Sequence, residues 1–217
     1  MNIKAETQFP IVKEGFVFIF GGLLLTWITT IVIGRGVGIF FGLLTLFVTW
    51  FFRDPHRVVP SEDGLVVSPA DGVVLSISKI DEVKFIKGKA IKMSIFLNVF
   101  NVHITRVPVE GRVLEVVYNA GRFFAANVPK ASLENEQNTV IIETPLGKKI
   151  VLVQIAGFIA RRIVCWIQPG AVMNRGERFG LIRFGSRVDL IFPEAIDLQV
   201  AKGDRVWGGK TILGKLS

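Results

Sequence analysis

The amino-acid sequence predicts a mostly β protein: a compact β-barrel or sandwich-like domain preceded by an N-terminal α-helical membrane hairpin. Three observations lead to this prediction. Two long apolar segments without charged residues lie near the N-terminus. After them, short strand-like segments alternate with glycine and proline residues, and strong helical periodicity is missing beyond residue 53. The predicted domain boundaries are residues 1–57 for the helical part and 58–217 for the β-rich part.

The two apolar segments, residues 15–33 and 36–52, predict two helices joined by Gly34-Arg35-Gly36. Such helices would be roughly 28 and 25 Å long, close to a bilayer hydrocarbon core of about 30 Å. Apart from the two tryptophans, their only polar side chains are threonines, whereas helices in a soluble core would show polar faces. A cleaved signal peptide would be shorter and would end in a small-residue cleavage site. The pattern therefore favours a membrane hairpin, either spanning the bilayer or lying in its interface, because the second segment is short.

The basic residues around the hairpin predict its orientation. Lys4 and Lys13 precede the first segment and Arg53 and Arg57 follow the second, whereas Arg35 stands alone in the turn. Because cytoplasmic flanks carry the excess of Lys and Arg, both termini are expected on the cytoplasmic side of the cell membrane. The β-rich domain would then also lie in the cytoplasm.

The composition limits the classes of partner and cofactor that are expected. The formal net charge of +8 and the pI of about 9.9 predict a polyanionic partner. The basic residues are scattered, without a basic helix or an RNA-binding motif, so anionic lipid headgroups are favoured over nucleic acid. The single cysteine, Cys165, excludes an intrachain disulfide and agrees with a reducing compartment. No His, Cys or carboxylate cluster has the spacing of metal ligands, so no metal is expected.

The β-rich part contains seven predicted strands, each bounded by glycine or proline turns. Their predicted ranges are residues 65–68, 72–80, 89–96, 111–118, 138–144, 149–156 and 187–192. Residues 123–133 have room for a turn or two of helix.

The pair Gly185-Ser186 lies between two strand-like segments, with Arg183 and Arg187 on either side. Glycine has no Cβ, so its carbonyl group can adopt a strained geometry and be approached closely by the next hydroxyl group. The pair therefore suits a peptide bond that is attacked by its own serine. Gly-Ser is also a common turn dipeptide, and from the pair alone a plain turn is the favoured interpretation.

Two further residues are candidates for acid–base chemistry. Asp71 lies in a Pro-Ala-Asp-Gly turn, where a carboxylate can orient a base or can simply stabilise an Asx turn. His103 is one of only two histidines; it is either a titratable group near Gly185-Ser186 or a packing residue. The other histidine, His56, follows the hairpin and is expected to have a structural role.

Taken together, these features resemble the short form of the phosphatidylserine decarboxylase family. The resemblance rests on the apolar hairpin and on the ordered segments Phe51-Phe52-Arg53-Asp54-Pro55, Ser68-Pro69-Ala70-Asp71-Gly72, Phe96-Leu97-Asn98-Val99-Phe100-Asn101-Val102-His103, Ile155-Ala156-Gly157 through Arg161-Arg162-Ile163, and Phe184-Gly185-Ser186. Archaeal archaetidylserine decarboxylases share the pattern, so the ester or ether backbone of the lipid stays open.

The resemblance implies a proenzyme that cleaves itself between Gly185 and Ser186. The Ser186 hydroxyl would attack the Gly185 carbonyl, and β-elimination of the ester followed by hydrolysis would leave a pyruvoyl group and release ammonia. The products would be a β chain ending at Gly185 and an α chain beginning at residue 186. The pyruvoyl group would form a Schiff base with the serine headgroup and accept the electrons released with CO2, without pyridoxal phosphate. The implied reaction converts phosphatidylserine to phosphatidylethanolamine in phospholipid biosynthesis.

The resemblance also implies roles for individual residues. Asp71 would orient a base during serine activation, and His103 would be that base or the proton donor after decarboxylation. Long-form relatives carry a second histidine three residues later, where this chain has Arg106, so the division of labour stays open. Four arginines are candidates for binding the substrate phosphate or carboxylate, or for a solvated basic surface: Arg161, Arg162, Arg183 and Arg187.

Two functions of other classes also fit part of the sequence. A non-catalytic, membrane-tethered β-barrel adaptor that binds lipid would explain the anchor and the charge, but it gives no purpose to the candidate residues. A membrane serine peptidase would use Ser186 with His103 and Asp71. The sequence leaves the oligomeric state open, including a homo-oligomer.

Overall fold

The structure is a computed structural model that describes residues 10–82, 84–121, 135–157, 162–183 and 186–216. It divides into two compact units, Met1–His56 and Arg57–Ser217. Gly185, Arg161 and the whole segment 123–133, where a turn or two of helix was expected, lie outside the described residues.

The first unit is a pair of packed helices, α1 (Lys13–Val32) and α2 (Arg35–Phe51), which confirms the two predicted helices to within two residues. Gly34 makes the reversal between them at φ 129°, a conformation that favours glycine. The backbone N–H groups of Ile33 and Gly34 both donate to the carbonyl of Thr29, so the reversal also satisfies the end of α1.

Small residues bring the two helices close together. A Cβ added to Gly22 would lie 2.6 Å from the Thr45 hydroxyl, and one added to Gly38 would overlap Thr30. The threonine hydroxyls donate to carbonyls one turn earlier, as Thr26 does to Gly22 at 2.8 Å. Because the threonines are satisfied within the unit, they leave the outer surface of the helix pair apolar.

The outward side chains of both helices are large and hydrophobic. The most exposed are Val17, Phe20, Trp27, Ile31, Val32, Ile33, Ile39, Phe40, Leu43 and Leu46. Among the described residues, α1 is the one helix long and apolar enough to cross a membrane, and α2 is a shorter apolar helix.

The second unit is built from antiparallel strands. The eight-stranded sheet contains β2 (Gly72–Glu82), β3 (Gly88–Leu97), β5 (Gly111–Asn119), β6 (Gln137–Glu143), β7 (Lys149–Ala156), β9 (Val172–Met173), β11 (Ser186–Pro193) and β13 (Arg205–Val206). Two three-stranded sheets contain β1 (Leu65–Val67), β12 (Ile196–Leu198) and β14 (Ile212–Leu216), and β4 (Ile104–Arg106), β8 (Ile163–Cys165) and β10 (Arg178–Ile182).

The large sheet has the strand order β13-β2-β3-β11-β7-β6-β5-β9 and curls into a half-barrel. Its inner face, lined by residues such as Ile95, Leu152 and Val188, forms the hydrophobic core. All seven predicted strands are present, with bounds within two residues of the prediction. The strands that were not predicted contain only two to five residues, too few to show an alternating pattern.

Four strand ends meet at one end of this sheet. Ser186, the first residue of β11, pairs with Leu97 at the end of β3 and with Ala156 at the end of β7. On the other side of β3, strand β2 begins at Gly72, which pairs with Val206. We call this end of the eight-stranded sheet the Ser186 rim.

Candidate functional site

Ser186 lies at the centre of the rim, in a fully buried position between β3 and β7. Its hydroxyl oxygen has no hydrogen-bond partner within the described part of the chain. Buried hydroxyl groups are normally hydrogen-bonded, and those that are not are often reactive positions or sites of strain. The sequence-predicted nucleophile is therefore held in the sheet with its polar atom uncommitted.

Strand alternation places Ser186 and Arg187 on opposite faces of β11. Ser186 shares the inner face with Val188, which belongs to the hydrophobic core. On the other face, Nη2 of Arg187 donates a hydrogen bond to Oδ2 of Asp189 at 3.2 Å. Nε of Arg187 lies 2.9 Å from Oδ1 of Asp189 as an ion pair, without hydrogen-bond geometry. Lys92 Nζ contacts the same carboxylate at 2.8 Å. Arg187 is thus paired within the sheet, away from the Ser186 side chain.

His103 reaches the rim through the segment that leaves β3 next to Ser186. In this segment the Asn98 N–H donates to the side chain of Asn101, and the Phe100 N–H donates to the side chain of Asn98, both at 2.9 Å. The His103 carbonyl then accepts the N–H of Ile182, the last residue of β10. Both connections bring the fully buried His103 to the same end of the fold as Ser186.

The hydrogen bond of the imidazole ring defines its tautomer. Nδ1 of His103 lies 2.9 Å from the carbonyl oxygen of Asn101. A carbonyl oxygen can only accept a hydrogen bond, so Nδ1 carries the proton. In the neutral ring, Nε2 then holds the lone pair and is the basic nitrogen.

A buried polar bridge holds the strand that follows His103. The Asn138 amide donates to Gln154, and Gln154 donates to the Thr105 hydroxyl, each at 2.8 Å. The bridge links β6, β7 and β4 through the core. Gly180 leaves room for it, because a Cβ there would lie 2.8 Å from the Gln154 nitrogen and would also overlap the Val164 carbonyl. A single glutamine within an apolar strand was the sequence signal for this bridge, and the sequence analysis missed it.

Asp71 lies at the rim immediately before Gly72. Its carboxylate accepts the Gly208 N–H at 2.7 Å and pairs with the Arg57 guanidinium at 2.7 Å. Gly72 has to be glycine because a Cβ would overlap the carbonyl of Phe96 in the adjacent strand. No local pattern connects Arg57 with Asp71, so the sequence analysis did not identify Arg57 as a site residue.

Comparison with known proteins gives the family. The family model for phosphatidylserine decarboxylase matches residues 44–214. The phosphatidylserine decarboxylase proenzyme of Desulfotalea psychrophila is 44% identical over 211 residues, covering 97% of this chain and 99% of the relative. Those of Geotalea uraniireducens (45% over 207 residues; 95% and 97% coverage) and Geotalea daltonii (47% over 206 residues; 94% and 96%) are similarly close.

The chain belongs to the phosphatidylserine decarboxylase family. This confirms the resemblance found in the sequence. The relatives are named as proenzymes, which implies self-cleavage into two chains and the covalent pyruvoyl cofactor of the family. The buried and unpaired hydroxyl group of Ser186 fits the residue from which such a group is made.

By the resemblance described above, Arg106 stands where long-form relatives would carry a second histidine. Its side chain is buried and donates to the Gly176 carbonyl at 3.0 Å. The backbone N–H of Arg106 donates to the carbonyl oxygen of Pro69 at 2.8 Å, and this hydrogen bond connects β4 to the turn that carries Asp71. An always-charged guanidinium group is a poor proton acceptor, so Arg106 has a structural position here.

The remaining arginines differ in their surroundings. Arg162 is exposed, and its carbonyl accepts the N–H of the half-buried Arg183 at 3.4 Å. Nearby, partial burial and a hydrogen bond to Glu136 raise the pKa of the Tyr118 phenol, and the positive charge of Arg162 opposes this rise. Arg162 and Arg183 therefore lie together near the rim, on the side of β7 and β6.

Proposed function

We propose that this chain is the proenzyme of a pyruvoyl-dependent decarboxylase that converts phosphatidylserine to phosphatidylethanolamine and CO2. The observation that carries the proposal is the buried, unpaired hydroxyl group of Ser186 at the rim, in a chain whose relatives are phosphatidylserine decarboxylase proenzymes. We do not propose the adaptor, because it gives this hydroxyl group no role.

Self-cleavage begins with attack of Ser186 Oγ on the Gly185 carbonyl carbon. The Gly185 acyl group moves from the backbone nitrogen of Ser186 to its hydroxyl oxygen, so that an ester bond replaces the peptide bond. Loss of the Ser186 α-proton expels the Gly185 carboxylate, and hydrolysis of the remaining enamine releases ammonia. Each step needs a group that accepts or returns a proton close to Ser186.

His103 is the residue we propose for this proton transfer. The hydrogen bond from Nδ1 to Asn101 leaves Nε2 as the basic nitrogen, and the ring is buried at the Ser186 rim. Because Arg106 is paired with Gly176, we propose that His103 serves in self-cleavage and also returns a proton to the decarboxylated product.

Asp71 is proposed to orient the base during serine activation. The guanidinium group of Arg57 and the N–H of Gly208 hold its carboxylate in one position at the rim. This pairing supports the carboxylate as a fixed negative charge, which would stabilise the positive imidazolium that forms when His103 takes a proton.

The pyruvoyl group supplies a ketone that takes up the substrate amine and accepts the electron pair left by departing CO2. The chain's own residues position the lipid. We propose that Arg162 and Arg183 bind the substrate phosphate or carboxylate, since both lie near the rim. Arg187 is proposed to stabilise β11 through Asp189 instead of binding substrate, and Arg161 keeps its sequence-based assignment as a substrate-binding residue.

The helix pair is proposed to anchor the enzyme as a membrane hairpin, with both termini in the cytoplasm. The length and hydropathy of α1 and the exposed apolar side chains of both helices support this proposal. The domain boundary is proposed to lie near residue 57, where the two compact units divide. An anchored enzyme meets its lipid substrate without extracting it from the bilayer.

The test is CO2 release from carboxyl-labelled phosphatidylserine in vesicles by the purified protein. Activity should be lost on treatment with hydroxylamine, which reacts with carbonyl groups, and should resist serine-reactive phosphonates, which would inhibit a peptidase. Ser186→Ala should abolish both self-cleavage and CO2 release. Ser94→Ala is the matched control, because Ser94 is another buried serine in the adjacent strand, on the opposite face of the sheet. Full activity in Ser186→Ala would refute the proposal, and an ether-lipid substrate tested in parallel would identify the preferred backbone.

A further inference from the structure

Two exposed aromatic side chains project from turns at the Ser186 rim. Phe100 is 63% exposed in the segment between Leu97 and His103, and Trp207 is 49% exposed directly after β13. Val206 pairs with Gly72, so Trp207 lies beside Asp71. Two exposed aromatic residues thus accompany two proposed site residues at one end of the sheet.

Both turns are held by hydrogen bonds before any partner arrives. The amide side chains of Asn98 and Asn101 fix the turn around Phe100. The Trp207 N–H donates to the Thr211 hydroxyl at 2.9 Å, and the Trp207 carbonyl accepts the N–H of Lys210 at 3.0 Å. An aromatic side chain on a fixed turn loses little conformational entropy when it docks.

The depth of the substrate in a membrane requires the rim to be close to the bilayer. The headgroup layer adds about 5–8 Å on each side of a hydrocarbon core of about 30 Å. A lipid headgroup that reaches Ser186 while its acyl chains stay in the bilayer brings the rim to within about this distance of the hydrocarbon. Each residue beyond the rim adds up to about 3.3 Å, so Phe100 and Trp207 would reach the boundary between headgroups and acyl chains.

The side chains of these turns are of the kinds that are found at the boundary between lipid headgroups and acyl chains. Tryptophan is enriched at membrane interfaces because its ring is amphipathic. Lys210 is exposed in the same turn as Trp207 and can direct its ammonium group toward anionic headgroups while its stem lies along apolar surface.

We propose that Phe100, Trp207 and Lys210 form a bilayer-docking surface that places the Ser186 rim on the headgroups of a membrane containing anionic phosphatidylserine. This inference rests on the proposed function, because it takes the substrate to be a bilayer lipid. The docking surface belongs to the second unit and acts in addition to any anchoring by the helices.

The test compares one enzyme on two forms of its substrate. The full-length double variant Phe100→Ser/Trp207→Ser is assayed on vesicles containing phosphatidylserine and on dihexanoyl phosphatidylserine below its critical micelle concentration. Relative to the parent, activity on vesicles should fall roughly tenfold or more, as expected for the loss of two buried aromatic side chains. Activity on the dissolved lipid should stay the same. Phe100→Trp/Trp207→Phe should retain vesicle activity, since it preserves the aromatic character of the surface.

Leu146→Ser is the matched control, because Leu146 is 64% exposed in the hairpin between β6 and β7, at the opposite end of the sheet. An equal loss on both substrates, no loss on vesicles, or the same loss in Leu146→Ser would overturn the docking surface. A change in oligomeric state of the double variant on sedimentation would also overturn it, in favour of a contact between copies. If the parent releases no CO2 even from the dissolved lipid, the proposed function itself fails, which is a separate result.

Discussion

Replacing Arg57 by methionine tests whether the ion pair with Asp71 holds the rim together. The two groups contact each other at 2.7 Å, and their side chains are only 12% and 10% exposed. Methionine keeps most of the length of the arginine side chain but removes its charge. The Asp71 carboxylate would then keep the hydrogen bond from the Gly208 N–H but would lose the positive charge of Arg57.

The expected cost follows from this burial. Removing one partner of a fully buried ion pair costs about 3–5 kcal/mol, because the other charge is left uncompensated. Since both groups retain some solvent contact, we expect the lower end, about 3 kcal/mol. For a chain of this size, that corresponds to a decrease in Tm of roughly 6–12 °C.

The assay is thermal unfolding in detergent, in the Ser186→Ala background so that the chain stays in one piece. Lys215→Met is the control, because it breaks the exposed pair between Lys215 and Glu62 and should change Tm little. Adding Asp71→Asn to Arg57→Met should restore part of the lost stability, since it removes the uncompensated charge. If Arg57→Met lowers Tm no more than Lys215→Met does, Arg57 does not hold Asp71.

Three further predictions concern single residues. Gly180→Ala should destabilise the fold by about 1–3 kcal/mol, because the new methyl group meets Gln154 and the Val164 carbonyl; an unchanged Tm would show that the strands can separate. His103→Gln should stay uncleaved on denaturing gels, and cleavage at the parental rate would exclude His103 as the base. Burial raises the pKa of Glu82, but hydrogen bonds from the following backbone N–H groups outweigh this effect and lower it below 4.5. The stabilising contribution of the ionised Glu82 carboxylate is therefore present above its unfolded-state pKa and is lost as the pH falls through its lowered folded-state pKa. Glu82→Gln should lower Tm at neutral pH and should have less effect in strong acid, where the carboxylate is protonated; an equal loss at both would contradict this.

The sequence predicted those helices and strands that are long enough to show a recognisable pattern of apolar residues. The two helices and all seven predicted strands are present in the structure. They could be predicted because long uncharged segments and alternating apolar residues can be recognised in the sequence. Strands such as β10 (Arg178–Ile182) were missed because a few residues around Gly180 show no alternation. Their formation depends on pairing with β4 and β8, which are distant in the sequence.

The proposed site was predictable only where a motif marked it. Ser186, His103 and Asp71 stand in segments that resemble the family, and the structure brings them to one end of the sheet. No local pattern identifies Arg57, because its partner Asp71 belongs to a different segment. Gln154 was marked by its place in an apolar strand, but its partners Asn138 and Thr105 are distant in the sequence. The pairing of Arg187 with Asp189 was readable from the sequence, because residues two apart in the predicted strand 187–192 share a face, but the sequence analysis did not make this connection.

Intact-mass analysis of purified, active protein tests the central claim most directly. We expect two chains that separate ahead of residue 186, the shorter one beginning with a pyruvoyl group in place of Ser186. An active preparation consisting only of the uncut chain of 24.0 kDa, with an ordinary serine at that position, would contradict the mechanism.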